Sequence, residues 1–392
     1  MAGFALVAGA VVLAWSIVLQ PVIERAPPEL AARLAPNSPL VLRRAAEQEL
    51  LAGRSDNALF LAREALSRAP FDPRALRVVG LSLARGGDEA AANEVLTLAG
   101  NWSLRDDPAH AWLMEYRLKR GDYSSSFAHA DTLVRRRADL IPQLFSFFTI
   151  AAAEDPRSIP ALVERMEARP PWRQAFLDSL VHSAGDQGRV ALLRLAVALR
   201  DSRAPLTAVE LGGIYGPWVA EGRLPAVRFL RQHLRRQGPA PLLENGGFDD
   251  PSSPAPFNWE IAFGPGFAAE IVAGEGKGGP ALRVDHSGRS TGPMIRQLMM
   301  LDPGPYILSG RSTLEPAQDR ARLTWTLTCH ESREVLARGP VPPPQGAPRM
   351  ETPFTVPAAG CSAQTLSLVD VDDDNRPFLA LLDDIAVRPA GG

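Results

Sequence analysis

Lysine is nearly missing from this chain. Lys119 and Lys277 are the only two in 392 residues, and arginine carries the rest of the positive charge. With plentiful Ala, Pro and Gly, that scarcity points to a GC-rich coding bias rather than to a function. Basic and acidic residues nearly cancel, 42 against 44, so a net charge of -2 offers no field that would gather nucleic acid. Histidine is sparse as well. His110, His129, His182 and His233 are scattered without an i, i+4 pairing, and no metal site is suggested by them. Cysteine is limited to Cys329 and Cys361.

Charge is absent altogether from Phe4 to Leu19, and the apolar run continues past Gln20 and Pro21 to Ile23. About 20 apolar residues suffice to cross a bilayer as a helix. No basic n-region and no clear small-x-small cleavage site precede Gln20, which disfavours a signal peptide. A buried core helix is the other reading, but the run has no polar face except Ser16. An uncleaved membrane anchor over residues 1–24 is therefore expected, followed by a proline-punctuated linker over 25–38. Arg25 and Arg33 follow the span and no Lys or Arg precedes it, so the positive-inside rule alone would leave the body in the cytoplasm.

What is present is ordinary globular chemistry, 46% hydrophobic and 22% charged, on a chain long enough for two or three domains. Gly53, Gly87 and Gly121 stand 34 residues apart, and Ala58, Ala92 and Ser126 keep the same step. Ala65 is followed by Ala99, with Leu133 in the third copy. A 34-residue period belongs to stacked helical hairpins. Leu42, Ala45, Ala46 and Leu50 line one face of the first helix, and Pro70 closes the second. Trp112 and Tyr116 fall in the first helix of the third copy. This arrangement resembles the tetratricopeptide repeat over about three copies, Ser38 to Asp139. The resemblance implies a surface that docks protein partners. From Leu140 to Gly238 the helical spacing continues without a clean 34-residue step, as diverged hairpins of one α-solenoid over 39–238. Trp172 and Trp218 are read as core rather than as partner anchors.

Composition changes at Gln237–Pro241. Beyond it come short alternating runs separated by Gly, Pro and Asp, which indicate an all-β antiparallel sandwich or jelly roll over 239–392. LLENGGFDD with Trp259, the hairpin LDPGPYILSGR (Leu301 to Arg311) and the closing run FLALLDDIAV (Phe378 to Val387) follow in that order. Together they resemble the jelly-roll carbohydrate-binding modules attached to xylanases and laminarinases. The resemblance implies a structural calcium at Asp249 and Asp383, with Asp250 and Asp384 adjacent. Plain hydrogen bonding of the turn by these aspartates is the alternative.

A sugar platform needs an exposed aromatic face with polar neighbours. Phe263, Phe267, Trp325 and Phe378 are the glycan-binding candidates, and Trp259 matches a buried tryptophan of the resembled modules. On the strand holding Trp325, alternation sets Leu323, Leu327 and Cys329 on its face and Arg322, Thr324, Thr326 and Thr328 on the other, which favours core packing for Trp325. Cys329 and Cys361, confined to this part, suggest a disulfide and with it an oxidising compartment. A pair of buried thiols is the other reading.

Three patterns are discounted. Gly288–Gly292 spells G-x-S-x-G, but between β-runs rather than at a strand-to-helix elbow. GEGKGG, Gly274 to Gly279, lacks the Lys-Ser/Thr ending of a phosphate loop. Asp370–Asp374 reads as a solvated acidic loop. The expectation is a non-enzymatic scaffold, single-pass in a bacterial inner membrane with its body in the periplasm. Its solenoid holds protein partners and its sandwich a polysaccharide, in surface polysaccharide assembly or export. A sandwich that binds only protein is the alternative; a glycan-processing enzyme is the third.

Overall fold

The computed structural model describes residues 25–183, 185–235, 238, 240–273, 279–287, 292–316, 321–343, 349–371 and 376–391. Phe4–Ile23, the G-x-S-x-G serine and most of GEGKGG lie outside the described residues, as do 372–375. Among the described residues no helix is long and apolar enough to cross a membrane. The longest has 15 residues, a rise of about 22 Å against a hydrocarbon core of about 30 Å. The expected placement as a single-pass inner-membrane protein with a periplasmic body is corrected accordingly: no described helix supports it. The expected order of an all-α part followed by an all-β part is what the structure has.

The chain divides into two compact units: the described part of Met1–Ala151 with Asp155–Arg165, and Ala152–Glu154 with Met166–Gly392. Thirteen α-helices are found among the described residues. The first unit is built on α1 (Pro28–Leu34), α2 (Pro39–Leu51), α3 (Ser55–Arg68), α4 (Pro73–Arg85), α5 (Glu89–Trp102), α6 (Asp107–Lys119) and α7 (Tyr123–Val134). Helix α8 (Ile141–Glu154) and α9 (Ile159–Glu167) follow.

Three hairpins, α2/α3, α4/α5 and α6/α7, repeat the 34-residue step. Gly53, Gly87 and Gly121 take φ of 78°, 88° and 73° at their turns, a left-handed conformation that glycine adopts without a Cβ clash. Ala58, Ala92 and Ser126 have 0% exposure where the paired helices cross. Each hairpin buries its apolar stripe against the next: Ala46, Leu50, Ala58 and Ala62 pack with Val78 and Val79, and Leu96 and Ala99 with Ala109 and Leu113. Arg77 on α4 ties three copies together, pairing Glu47 at 2.5 Å and Asp106 at 3.2 Å.

The second unit combines α10 (Arg173–Val181), α11 (Asp186–Arg200), α12 (Ala208–Ala220) and α13 (Leu224–Leu234) with ten strands. These are β1 (Glu260–Ile261), β2 (Phe267–Val272), β3 (Ala281–His286), β4 (Ile295–Met299), β5 (Gly304–Glu315), β6 (Leu323–Cys329), β7 (Val335–Val341), β8 (Met350–Val356), β9 (Gln364–Asp370) and β10 (Phe378–Pro389). They form two five-stranded antiparallel sheets, in the orders β1-β4-β9-β6-β7 and β2-β3-β10-β5-β8. Alternating residues of both sheets fill one core, with Trp325, Leu366 and Leu368 from the first and Leu282, Leu308 and Leu382 from the second.

The composition change near Gln237 falls inside this unit. Arg231 on α13 bonds Glu244 at 2.7 Å and lies 3.9 Å over the Phe257 ring. Phe257 in turn meets Tyr215 of α12 edge-on at 5.3 Å. Arg228 reaches Asp302 at 2.9 Å and the Ser362 carbonyl at 3.1 Å. Helices α12 and α13 are thus part of the sandwich's own packing.

Candidate functional site

The outer face of the first sheet carries the most organised polar surface in the sandwich. Cα register places Glu260, Arg296, Ser367, Thr326 and Arg338 opposite one another across β1, β4, β9, β6 and β7. Registered partners share a face, so these five side chains form one row at right angles to the strands. Four strand spacings of about 4.8 Å make the row about 19 Å long. Beside it runs a second row of Leu298, Thr365, Thr328 and Val335. The alternation that turns Leu323, Trp325 and Leu327 inward is what turns the threonines of β6 outward.

One end of this face is walled by α12, leaving a cleft of about 270 Å³. Gly216, Val219 and Ala220 supply the helix side, with Pro256 and Leu298 adding apolar surface. Glu260, Arg296, Thr365, His330 and Arg333 supply polar groups. Arg296 donates through Nε to the Glu260 carboxylate at 2.7 Å. His330 Nδ1 lies 3.3 Å from Thr365 Oγ1. Burial first, and then the charges of Arg333 and Arg296, push the His330 imidazole below its ordinary range, so it is neutral at pH 7. Arg333 has φ of 62°, and its N–H donates to the Cys329 carbonyl at 3.0 Å. The turn is held from behind by the Cys329–Cys361 disulfide and by Glu331, which accepts the Ser362 N–H at 2.7 Å. In the row, Thr326 Oγ1 is buried without a hydrogen-bond partner. Hydroxyl, carboxylate, imidazole and guanidinium groups facing an aliphatic wall suit a ligand dense in hydroxyls that also has apolar faces.

The residues expected from the sequence lie elsewhere. Trp325, 1% exposed, packs 5.5 Å from Trp259 in the core. Phe378, 5% exposed, stacks on His286 under the Arg322 guanidinium. Neither has a face free for a sugar: Trp325 packs in the core as its strand alternation favours, and Phe378 is corrected from platform to core. Phe267 is half-buried against the same core. Phe263 is 98% exposed on the loop after β1 and outside the cleft. The disulfide is formed, with sulfurs 2.02 Å apart.

Asp383 lies at a bulge in β10 and accepts the Asp384 N–H at 2.7 Å. Asp383 and Asp384 both face Arg311. Asp249 follows the opening Asn-Gly-Gly-Phe turn, whose Gly246 carbonyl accepts the Ile385 N–H at 2.9 Å. In the first unit, His110 and His129 meet Nδ1 to Nδ1 at 2.8 Å although they stand on different helices. Burial, aided by the charge of His110, pushes His129 down to about 4. Among the described residues no group of three or more His, Cys, Asp or Glu gathers as a metal site would need.

No protein-family model matches the chain, and no curated protein does. Among solved structures it is similar to a CBM4 structure at 16% identity, over 38% of this chain and 99% of the other, with a TM-score of 0.29. It is also similar to the CBM22-1 xylan-binding domain of Paenibacillus barcinonensis Xyn10C, at 13% identity over 34% and 85%, TM-score 0.25. The N-terminal cellulose-binding domain of Cellulomonas fimi beta-1,4-glucanase C matches at 16% over 38% and 97%, TM-score 0.23. The fold assignment rests on the strand order given above.

Proposed function

We propose that the β-sandwich binds a glycan laid across the outer face of its first sheet. The observation that supports this is the row Glu260–Arg296–Ser367–Thr326–Arg338, which crosses all five strands and ends beside the cleft. A chain of sugars running along such a row meets Glu260, Arg296, Ser367 and Arg338, with the buried Thr326 hydroxyl beneath it, and the α12 wall covers its apolar edges. The role is non-catalytic: holding, not cleaving. The helical hairpins supply the protein-binding side, supported by the exposed, neighbouring rings of Phe71 and Trp102, 79% and 43% exposed and 5.5 Å apart. A scaffold of this kind suits polysaccharide assembly or export. The test is retention of the full chain on a polysaccharide panel, compared with Thr326→Leu, which fills the middle of the row. Retention that falls at least tenfold in the variant is expected. Absence of retention on any polysaccharide, or equal retention by the variant, overturns the reading.

A structural calcium at Asp249 and Asp383 is the second part of the proposal. Its support is the bond between Ile385 and Gly246, which fastens the opening turn to the β10 bulge. Calcium takes six to eight oxygens, so backbone carbonyls would complete the two carboxylates. Arg311 is the cation that such an ion would displace.

A further inference from the structure

We propose that the glycan held on this face is acidic, its carboxylates met by Arg296, Arg333 and Arg338; this rests on the glycan reading above. Arg296 and Arg338 are both exposed members of the five-strand row, and Arg333 lines the cleft at its end. Against these three guanidiniums the row and the cleft lining contain one carboxylate, Glu260, which is already bonded to Arg296. The nearby Glu331, whose charge reaches His330, is already bonded to the Ser362 and Ala363 N–H groups, so the guanidiniums still outnumber the carboxylates three to two. A face with surplus positive charge on a chain of net charge -2 is local, not a consequence of composition.

The placement of Arg333 adds to this. A side chain at φ of 62° is held where glycine would be easier, and non-glycine residues in that region concentrate at binding sites. His330, its pKa lowered first by burial and then by the charge of Arg333, offers a ring nitrogen to a sugar hydroxyl without adding another charge. Guanidinium is the group best matched to a carboxylate, since its planar fork donates two parallel hydrogen bonds. Spacing also fits: Arg296 and Arg338 are three strands apart, about 14 Å, so they address different sugar units of one chain.

The experiment is affinity electrophoresis of the full chain in gels containing polygalacturonate, alginate or glucuronoxylan, each beside its carboxyl-reduced, neutral form. Retardation by at least one acidic polymer, at least tenfold stronger than by its reduced form, is expected. Arg333→Gln and Arg338→Gln should each weaken that retardation severalfold, with melting temperatures matching the parent. Added salt should weaken it too. Equal retardation by acidic and reduced forms overturns the acidic ligand while leaving glycan binding standing. Retardation by none of the polymers overturns both. Acidic retardation unchanged in both variants places the ligand elsewhere and overturns this site.

Discussion

Replacing Arg173 with methionine tests how the helical wall of the cleft is held. Arg173 is buried at the start of α10, its side chain 5% exposed beside a Glu210 that is 11% exposed. It donates to both Glu210 oxygens, at 2.6 and 3.0 Å, and to the carbonyls of Met166, Ala204 and Pro205 at 3.0, 3.0 and 3.2 Å. Glu210 also closes the capping box with Thr207 that starts α12. Methionine keeps the volume and strands the carboxylate, a change that costs about 3–5 kcal/mol. That is a large share of a total stability of about 5–15 kcal/mol. Urea unfolding of the full chain, followed by fluorescence of Trp172 and its neighbours, should show the loss at pH 7. The pH dependence carries the sign. Burial pushes the Glu210 carboxyl up, but Arg173 and Thr207 outweigh it and hold it below its ordinary 4.5. Its contribution is therefore present above about pH 4.5 and fades as pH falls through the lower folded value. Without Arg173 the folded value rises, so the variant loses stability as pH climbs. Parent and variant should differ most near neutrality and approach each other as pH falls through the folded value of Glu210. A loss under about 1 kcal/mol, or a gap constant from pH 7 to pH 4, would refute the reasoning.

At the helix crossing of the second hairpin, Ala92→Leu should overpack a site of 0% exposure and cost about 1–3 kcal/mol in chemical denaturation; a neutral result contradicts the repeat register. The Cys329–Cys361 bridge has a sequence separation of 32, for which chain entropy gives about 3–4 kcal/mol. Reductant should lower the melting temperature of the parent and not of the double serine variant, and two alkylated cysteines without reductant would deny the bridge. If calcium is held at Asp249 and Asp383, chelation should lower the melting temperature and Asp383→Ala should abolish that response; a parent indifferent to chelator and to added calcium removes the ion.

The 34-residue step carried the helical hairpins because it fixes backbone and packing together. Its glycines are the left-handed turns and its small residues the close crossings. The same step also links Asp72 to Asp106 and Asp88 to Asp122, a signal left unread. All four accept first-turn N–H groups as helix caps. In the sandwich, alternation on β6 told which residues face outward. It could not tell which strands lie beside β6, so Arg296 and Arg338 had no reason to be grouped with Thr326. Phe378 failed as a platform for a related reason: a ring in a strand has the same pattern whether its face is covered or bare, and Phe378 is covered. Nor does periodicity bring distant segments together, as His110 with His129 and α12 with the Arg333 turn require.

The bonds from α12 and α13 to the sandwich bear on portability. A fragment cut where the composition changes would leave Phe257 without Tyr215 and Arg231, and Glu244 without its arginine. It would also open the cleft on the side now closed by Gly216, Val219 and Ala220. Such a sandwich could not be transplanted between hosts as a free-standing cassette and keep the same cleft. Substitutions on α12 would reshape the cleft as directly as substitutions on the strands, so divergence of the helical segment and of the proposed glycan face would be expected to proceed together.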